Sequence, residues 1–198
     1  MSLNLSRYKG LIFDMDGTLI DTMPAHIKAW QAAAETFRFP FDAQWLHSLG
    51  GMPSYKIVKE INERFHLSLD PQEVADYKMQ AFANFGSNSA LISETYAIFN
   101  SSIGEKKIAV GTGSQRKSAT KLLAKVGVLD KLDALVTATD VANHKPHPET
   151  FLRACELLNL SPKECIVFED TALGMQAAHA GGMDCVMVTK QGLEFHAA

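Results

Sequence analysis

Cysteine is scarce in this chain of 198 residues, with three present. They stand far apart at Cys155, Cys165 and Cys185, each in an apolar stretch. An odd, widely spaced set argues against a disulfide framework or a zinc site, so the thiols read as small buried hydrophobes in a reducing compartment. Long apolar runs are missing too: none approaches the roughly 20 residues that a membrane-spanning helix needs. There is no excess of basic charge. A net charge of −3 and a pI near 6.1 leave no electrostatic footprint for nucleic acid, and no Lys/Arg block points to a membrane surface. The N-terminus lacks the basic flank, apolar stretch and small-residue cleavage site of a signal peptide, so the expected location is cytoplasmic. Internal repeats and low-complexity tracts are absent. No feature marks an exposed interface, and a monomer is expected.

What is present is a composition rich enough in apolar residues, at 46%, to bury a sizeable core, and one compact acidic signal. The run Gly10-Leu11-Ile12-Phe13 reads as a buried parallel strand. Asp14-Met15-Asp16-Gly17-Thr18-Leu19 follows it directly. On an extended segment, side chains two apart lie on the same side, so Asp14 and Asp16 are expected to face one site at the strand's carboxyl end. Gly17 allows the backbone to turn away there. Two carboxylates held so close repel each other and call for a cation. A hard divalent ion such as Mg²⁺, which takes oxygen ligands, is the natural partner.

A long helical region follows. Thr22 reads as a helix cap with Pro24 in the first turn, and Ile27, Trp30, Ala34 and Phe37 trace one face up to a stop at Pro40. Further helical patterns cover 43–48, 54–65 and 71–85, with breaks at Gly50-Gly51-Met52-Pro53 and Gly86-Ser87-Asn88-Ser89. From about Ser93 the pattern alternates between helices and short apolar strands. Strands are expected at 107–112, 134–138, 165–169 and 184–188, and helices at 117–126, from Pro148, and at 172–180. Strand–helix–strand succession implies right-handed crossovers and a parallel sheet. The fold class is therefore α/β, a doubly wound Rossmann-like sheet with an inserted all-helical module. Residues 1–21 and 89–198 are expected to form the catalytic core, and 22–88 a helical cap placed to act as a lid.

In a doubly wound fold, ligands bind at the carboxyl ends of the strands. In order, those ends carry Asp14 and Asp16; then Thr112, Gly113 and Ser114; then Lys145 in His144-Lys145-Pro146; then Glu169 and Asp170, followed by Thr171 and Gly174. Each alone has a plain structural explanation, as a solvated turn, a cap or a favourable helix start. Their convergence at equivalent ends of one sheet favours a joint functional role.

This ordered set resembles the haloacid-dehalogenase-like superfamily and, within it, the β-phosphoglucomutase-like subfamily with a helical cap. The nearest likeness is to short bacterial sugar-phosphate phosphatases of the fructose-1-phosphatase type. Asp14-Met15-Asp16-Gly17-Thr18 matches the first motif, Thr112 the second, Lys145 the third and Glu169-Asp170 the fourth. The resemblance implies a Mg²⁺-dependent phosphoric monoester hydrolase acting on a small phosphorylated sugar through an aspartyl-phosphate. Asp14 would be the nucleophile and Asp16 the acid/base. Lys145 would pair with Asp14 and the phosphate. Thr112, with the backbone amides of Met15, Asp16 and Gly113, would hold the phosphoryl oxygens, with Ser114 beside them. The metal would lie on Asp14, the Asp16 backbone carbonyl, Asp170 and Glu169. In the cap, Thr22 and His26 would lie over the site, the loop carrying Gly51 and Ser54 would reach down to the substrate, and Lys78 would contact the sugar phosphate.

The mutases of this subfamily carry an Arg in the cap loop, where this chain has Ser54. Ser cannot supply a bidentate guanidinium fork for a second phosphate, so hydrolysis is favoured over β-phosphoglucomutase activity. The usual Pro-Gly before the helix leading to the second strand is replaced by Ser93-Glu94, which reads as a local loop change. A signalling receiver domain also combines an acidic pocket with Thr and Lys, but it has no helical insertion after its first strand. A non-enzymatic binding module is disfavoured because the core catalytic positions are all filled.

Overall fold

The computed structural model describes residues 3–85 and 90–198. The expected break at Gly86-Ser87-Asn88-Ser89, and with it the expected boundary at 88/89, lies outside the described residues. The strands are β1 (Gly10–Phe13), β2 (Lys107–Gly111), β3 (Ala134–Val136), β4 (Cys165–Glu169), β5 (Asp184–Thr189) and β6 (Gly192–His196). They form one six-stranded sheet in the order β3-β2-β1-β4-β5-β6. β1 pairs in parallel with β2 on one side and β4 on the other, with Phe13 opposite Val110 and Phe168. β5 adds in parallel and β6 antiparallel. The chain order reverses around β1, which is the switch point where such sheets open a crevice.

The helices are α1 (Met23–Phe37), α2 (Ala43–Ser48), α3 (Ser54–Phe65), α4 (Pro71–Phe85), α5 (Ser93–Ser102), α6 (Arg116–Lys125), α7 (Glu149–Leu158) and α8 (Ala172–Ala180). Alternate residues of the buried strands feed opposite faces of the sheet. Leu11, Phe13, Ile108, Val110, Ile166 and Phe168 pack with Phe99 of α5 and Ala119, Leu122 and Leu123 of α6. Ile12, Ala109, Val167 and Cys185 pack with Phe151, Ala154, Cys155 and Leu158 of α7 and Ala177 and Ala178 of α8. The three thiols are free and buried in or beside this second layer, as read. Helices α1 to α4 share a separate apolar cluster, centred on Trp30, Ala33, Leu46, Ile57, Val58, Ile61 and Val74. Among the described residues, no helix is long and apolar enough to cross a membrane.

Several local expectations differ in detail. α1 stops at Phe37, before Pro40, because Arg38 takes the left-handed conformation (φ 59°) and its N–H donates to the Ala34 carbonyl. α6 runs one residue earlier than read, at Arg116–Lys125. β3 ends at Val136 and not at residue 138. Thr137 and Asp140 close a capping box there, and their mutual hydrogen bonds bend Ala138–Asp140 into a 3₁₀ turn. β6 went unread as a strand. It is a short outer strand whose Glu194 and Phe195 are exposed, so it lacks the apolar run of an inner strand.

Candidate active site

β1 ends at Phe13, and the backbone leaves the sheet through Asp14, Met15 and Asp16 before Gly17 turns it at φ 89°. The segment is therefore no longer a regular strand, and the alternation argument fails there. The two carboxylates share one site but have different partners. Asp14 is buried and its Oδ1 accepts from Lys145 Nζ at 2.6 Å. Asp16 accepts from the hydroxyls of Ser114 (2.7 Å), Thr22 (2.8 Å) and Thr112 (3.4 Å) and from His26 Nε2 (3.2 Å). Thr22 makes no side-chain cap on α1, and its own backbone is already in the helical region (φ −101°, ψ −13°). Its hydroxyl donates instead to the Asp16 carboxylate.

Lys145 is the hub of the floor. Its side chain is 1% exposed. Its Nζ donates to Asp14 Oδ1 and Glu169 Oε1, each at 2.6 Å, and to the Gly111 carbonyl at 3.2 Å. An ammonium has three N–H donors, so all are engaged. Burial lowers the Lys145 pKa, but the charges of Asp14 and Glu169 outweigh it and hold the ammonium protonated. Glu169 closes β4. Its Oε2 accepts from the backbone N–H groups of Asp170 and Thr171 and from the Thr171 hydroxyl, each at 2.9 Å. Thr171 in turn caps α8 by accepting from Gly174 N–H.

Asp14, Glu169 and Asp170 each direct a carboxylate oxygen into one cluster, all within 4.8 Å of one another. This is a hard, all-oxygen donor set of the kind that holds Mg²⁺. Its electrostatics also fit a cation, since one ammonium faces three carboxylates. Burial, then the neighbouring negative charges, push Asp170 well above its ordinary range. Asp14 is pushed up to about 7 by burial, against Lys145, with Glu169 and Asp16 adding to the rise. A divalent ion would cancel that surplus charge. Among the described residues, the cluster does not include the Asp16 carboxylate.

Above the floor, His26 stacks on Phe82 with ring centroids 4.0 Å apart. Lys78 Nζ donates to His26 Nδ1 at 2.7 Å. Nδ1 is therefore the acceptor, which puts the proton on Nε2, facing Asp16. Burial, then Lys78, lowers the His26 pKa against the pull of Asp16. Burial likewise brings Lys78 down to about 8. For Asp16, burial pushes upward, but the His26, Ser114 and Thr22 hydrogen bonds outweigh it and keep the carboxylate ionised. Lys78, expected on the sugar phosphate, thus reaches Asp16 through His26. Asp14, Asp16, His26, Gly51, Ser54, Lys78, Thr112, Gly113 and Ser114 all line one cavity of about 270 Å³. Met15 is buried beneath it, as a member of the core beside α5 and α6.

Gly17 and Gly174, noted above beside the acidic residues, are held to glycine by the site itself. A Cβ on Gly174 would lie 1.9 Å from the Glu169 carboxyl, and one on Gly17 would lie 2.2 Å from Asp170 Oδ2. Both are glycines because a carboxylate occupies the space. Gly17 follows Asp16 directly and Gly174 comes four residues after Asp170, which was the available signal.

A family model described as haloacid dehalogenase-like hydrolase matches residues 11–188. The chain belongs to that family. Among its relatives, the hydrolase is 41% identical over 182 residues to the fructose-1-phosphate phosphatase YqaB of Escherichia coli, spanning 92% of this chain and 97% of that one. It is 30% identical over 193 residues to the β-phosphoglucomutase of Bacillus subtilis, spanning 91% and 83%. Its fold matches the crystal structure of a β-phosphoglucomutase from Clostridium difficile with a TM-score of 0.83 at 26% identity, covering 92% and 85% of the two chains.

In this member of the family, the loop between α2 and α3 lies directly on the motif residues. A Cβ on Gly113 would sit 2.1 Å from the Gly51 carbonyl oxygen, and one on Gly51 would sit 3.1 Å from Lys145 Cδ. Gly113→Ala should therefore leave the sheet intact but push the loop off the floor. Displacements on the order of 1 Å at a reacting centre cost about 10²-fold. The expected result is a fall of that size in kcat/KM, with faster proteolysis around residues 49–54. An unchanged kcat/KM would show that this contact plays no part in the reactive state.

Proposed function

We propose that this hydrolase cleaves the phosphate monoester of small sugar phosphates, of the fructose 1-phosphate type, through an aspartyl-phosphate on Asp14. The observation that carries the reading is the Asp14–Lys145–Glu169–Asp170 cluster, which meets a cavity of about 270 Å³ at Asp14, with Asp16 in its own hydrogen-bonded cradle beside it. The relatives that share nearly the whole chain support the same reaction class.

Lys145 holds Asp14 Oδ1, which leaves the other carboxylate oxygen for attack on phosphorus. As the new P–O bond forms, the bond to the sugar oxygen breaks, and Asp16 gives that oxygen its proton. Water then attacks the aspartyl-phosphate, Asp16 takes the water's proton, and Asp14 is regenerated as phosphate leaves. Asp16 is ionised in the resting site, so it must be protonated as substrate binds. The negative charge of the phosphate beside it acts in that direction. Thr112 and Ser114 hold Asp16 at rest and can turn to the phosphoryl oxygens, together with the amides of Met15, Asp16 and Gly113. Lys145 must exchange one of its present partners to meet the phosphate. Asp14, Glu169, Asp170 and the Asp16 carbonyl would hold Mg²⁺, which when bound neutralises the repulsion between Asp14 and the phosphate.

Residues 22–88 form the cap in this reading and 1–21 with 89–198 the core. The separate apolar cluster of α1 to α4 supports that division. The free buried thiols support a reducing, cytoplasmic setting. The helical insertion between β1 and β2 speaks against a receiver domain.

The test is a steady-state screen of hexose and pentose phosphates with Mg²⁺, reading inorganic phosphate. Fructose 1-phosphate should rank among the best substrates, and chelation should abolish release. Failure to hydrolyse any of them would overturn the proposal. The mutase reading is tested with β-glucose 1-phosphate. Ser54 lies on the cavity wall with its hydroxyl toward Met79 Sδ at 3.7 Å, where it offers no anion clamp. Wild type should yield phosphate, and Ser54→Arg should raise the share of glucose 6-phosphate several-fold. If the product ratio does not move, the clamp argument does not apply to this loop.

A further inference from the structure

The wall of the substrate cavity is uneven in charge. Gln72, Ala75, Asp76 and Met79 recur at helical spacing and give the cavity one face of α4. Asp14 is buried on the floor, whereas Gln72 and Asp76 are exposed, so this pair stands at the mouth. Among the described residues, the lysine of the lining is Lys78, and arginine contributes nothing to it. Lys78 is already committed. Its Nζ donates to His26 Nδ1 at 2.7 Å, to Ser54 Oγ at 3.4 Å and toward Met79 Sδ at 3.8 Å, over the rings of Trp30 and Phe82. Its three N–H donors are thus engaged.

Asp76 has the opposite character. Its Oδ1 accepts from Gln72 Nε2 at 2.8 Å. That bond fixes the carboxylate and leaves it with lone pairs to spare, while the Gln72 amide oxygen remains a second acceptor. Acceptors of this kind suit hydroxyl donors. They repel a carboxylate or a second phosphate, and among the described residues no free ammonium or guanidinium stands in the lining to offset the repulsion.

We propose that Asp76, positioned by Gln72, is a specificity determinant that admits an uncharged polyhydroxyl leaving group and turns away substrates carrying a second anionic group. The inference rests on the phosphatase reading of the site and adds the charge class of the substrate to it.

The test compares kcat/KM for fructose 1-phosphate and fructose 1,6-bisphosphate, with products separated so that release from the 1-position is counted. Wild type, Asp76→Asn and Asp76→Lys are each assayed, and the ratio of the two substrates within each protein cancels any general loss of activity. Wild type should prefer the monophosphate by roughly tenfold, the scale of one like-charge contact in a half-solvated site. Asp76→Asn should reduce that preference several-fold and Asp76→Lys should reduce it further. Added salt should erode the wild-type preference, because the repulsion is screened. A wild-type ratio near unity, or the same ratio in all three proteins, overturns the role of Asp76. Failure of wild type to release phosphate even from p-nitrophenyl phosphate would instead remove the phosphatase reading, and this proposal with it.

Discussion

Asp14→Asn should abolish turnover, by at least about 10⁴-fold, while the protein stays folded. The amide is nearly isosteric with the carboxylate, so the packing around a residue that is 3% exposed is preserved. It cannot form the acyl phosphate, however, and it removes one arm of the carboxylate cluster. The substitution also has a stability signature that separates loss of chemistry from loss of fold. Burial, opposed by Lys145, moves the Asp14 carboxyl from 3.8 up to about 7 in the folded chain. Between those values the unfolded chain has given up the proton and the folded chain still holds it. Asp14 therefore withdraws stability from wild type as pH rises through that window. Asn does not titrate. Without metal, the variant should gain stability relative to wild type between about pH 5 and pH 8, as read by chemical denaturation. Mg²⁺ should raise its melting temperature less than that of wild type. Residual activity above about 1% of wild type would mean that another group attacks phosphorus.

These expectations rest on residues that were legible in the sequence to different degrees. β1 and β4 are continuous apolar runs because both of their faces are covered, and Glu169-Asp170 follows one of them as Asp14 follows the other. Such a pattern can be read without a partner in view. The helices at Ser54–Phe65 and Pro71–Phe85 were legible for a similar reason: each has one apolar face, Pro opens one, and Phe65 precedes a left-handed His66. The orientation of Asp16 could not be read that way. It is set by Thr22, Ser114 and His26, which come from two different segments, and by a backbone that has already left the sheet. The Lys78–His26 contact joins residues 52 apart on two helices. Helical periodicity marks the face each lies on but does not show that the faces meet. The glycine at position 113 looks like a turn residue in sequence, and the need for it appears only once Gly51 lies against it. β6 was missed because a half-exposed outer strand needs no apolar run.

Lys145→Met should be the most destabilising single change at the site, and its cost should depend on pH and on metal. Methionine keeps an unbranched apolar stem of similar length to pack near Phe151, whose ring lies 4.7 Å from the ammonium. The change therefore isolates the charge. Without the ammonium, Asp14 and Glu169 lose a donor that each holds at 2.6 Å, and the cluster with Asp170 is left with no counter-charge. Breaking a buried ion pair from one side costs about 3–5 kcal/mol. The sign of the pH dependence follows from Asp14 and Asp170. Burial and mutual repulsion already raise both, and Lys145 opposes the rise in both, with Thr18 assisting at Asp170. Its removal raises them further, so the folded variant keeps protons that the unfolded chain has released. Stability is then retained at low pH and lost as pH climbs through the raised values. The variant should lie close to wild type near pH 5 and show its full deficit near pH 8, measured by denaturant titration in chelator. Mg²⁺ held by Asp14, Glu169 and Asp170 would supply positive charge to the same carboxylates, so it should recover more melting temperature in Lys145→Met than in wild type. A deficit of equal size at both pH values, untouched by Mg²⁺, would mean that Lys145 stabilises the floor by packing and not as the counter-ion of the Asp14–Glu169–Asp170 cluster.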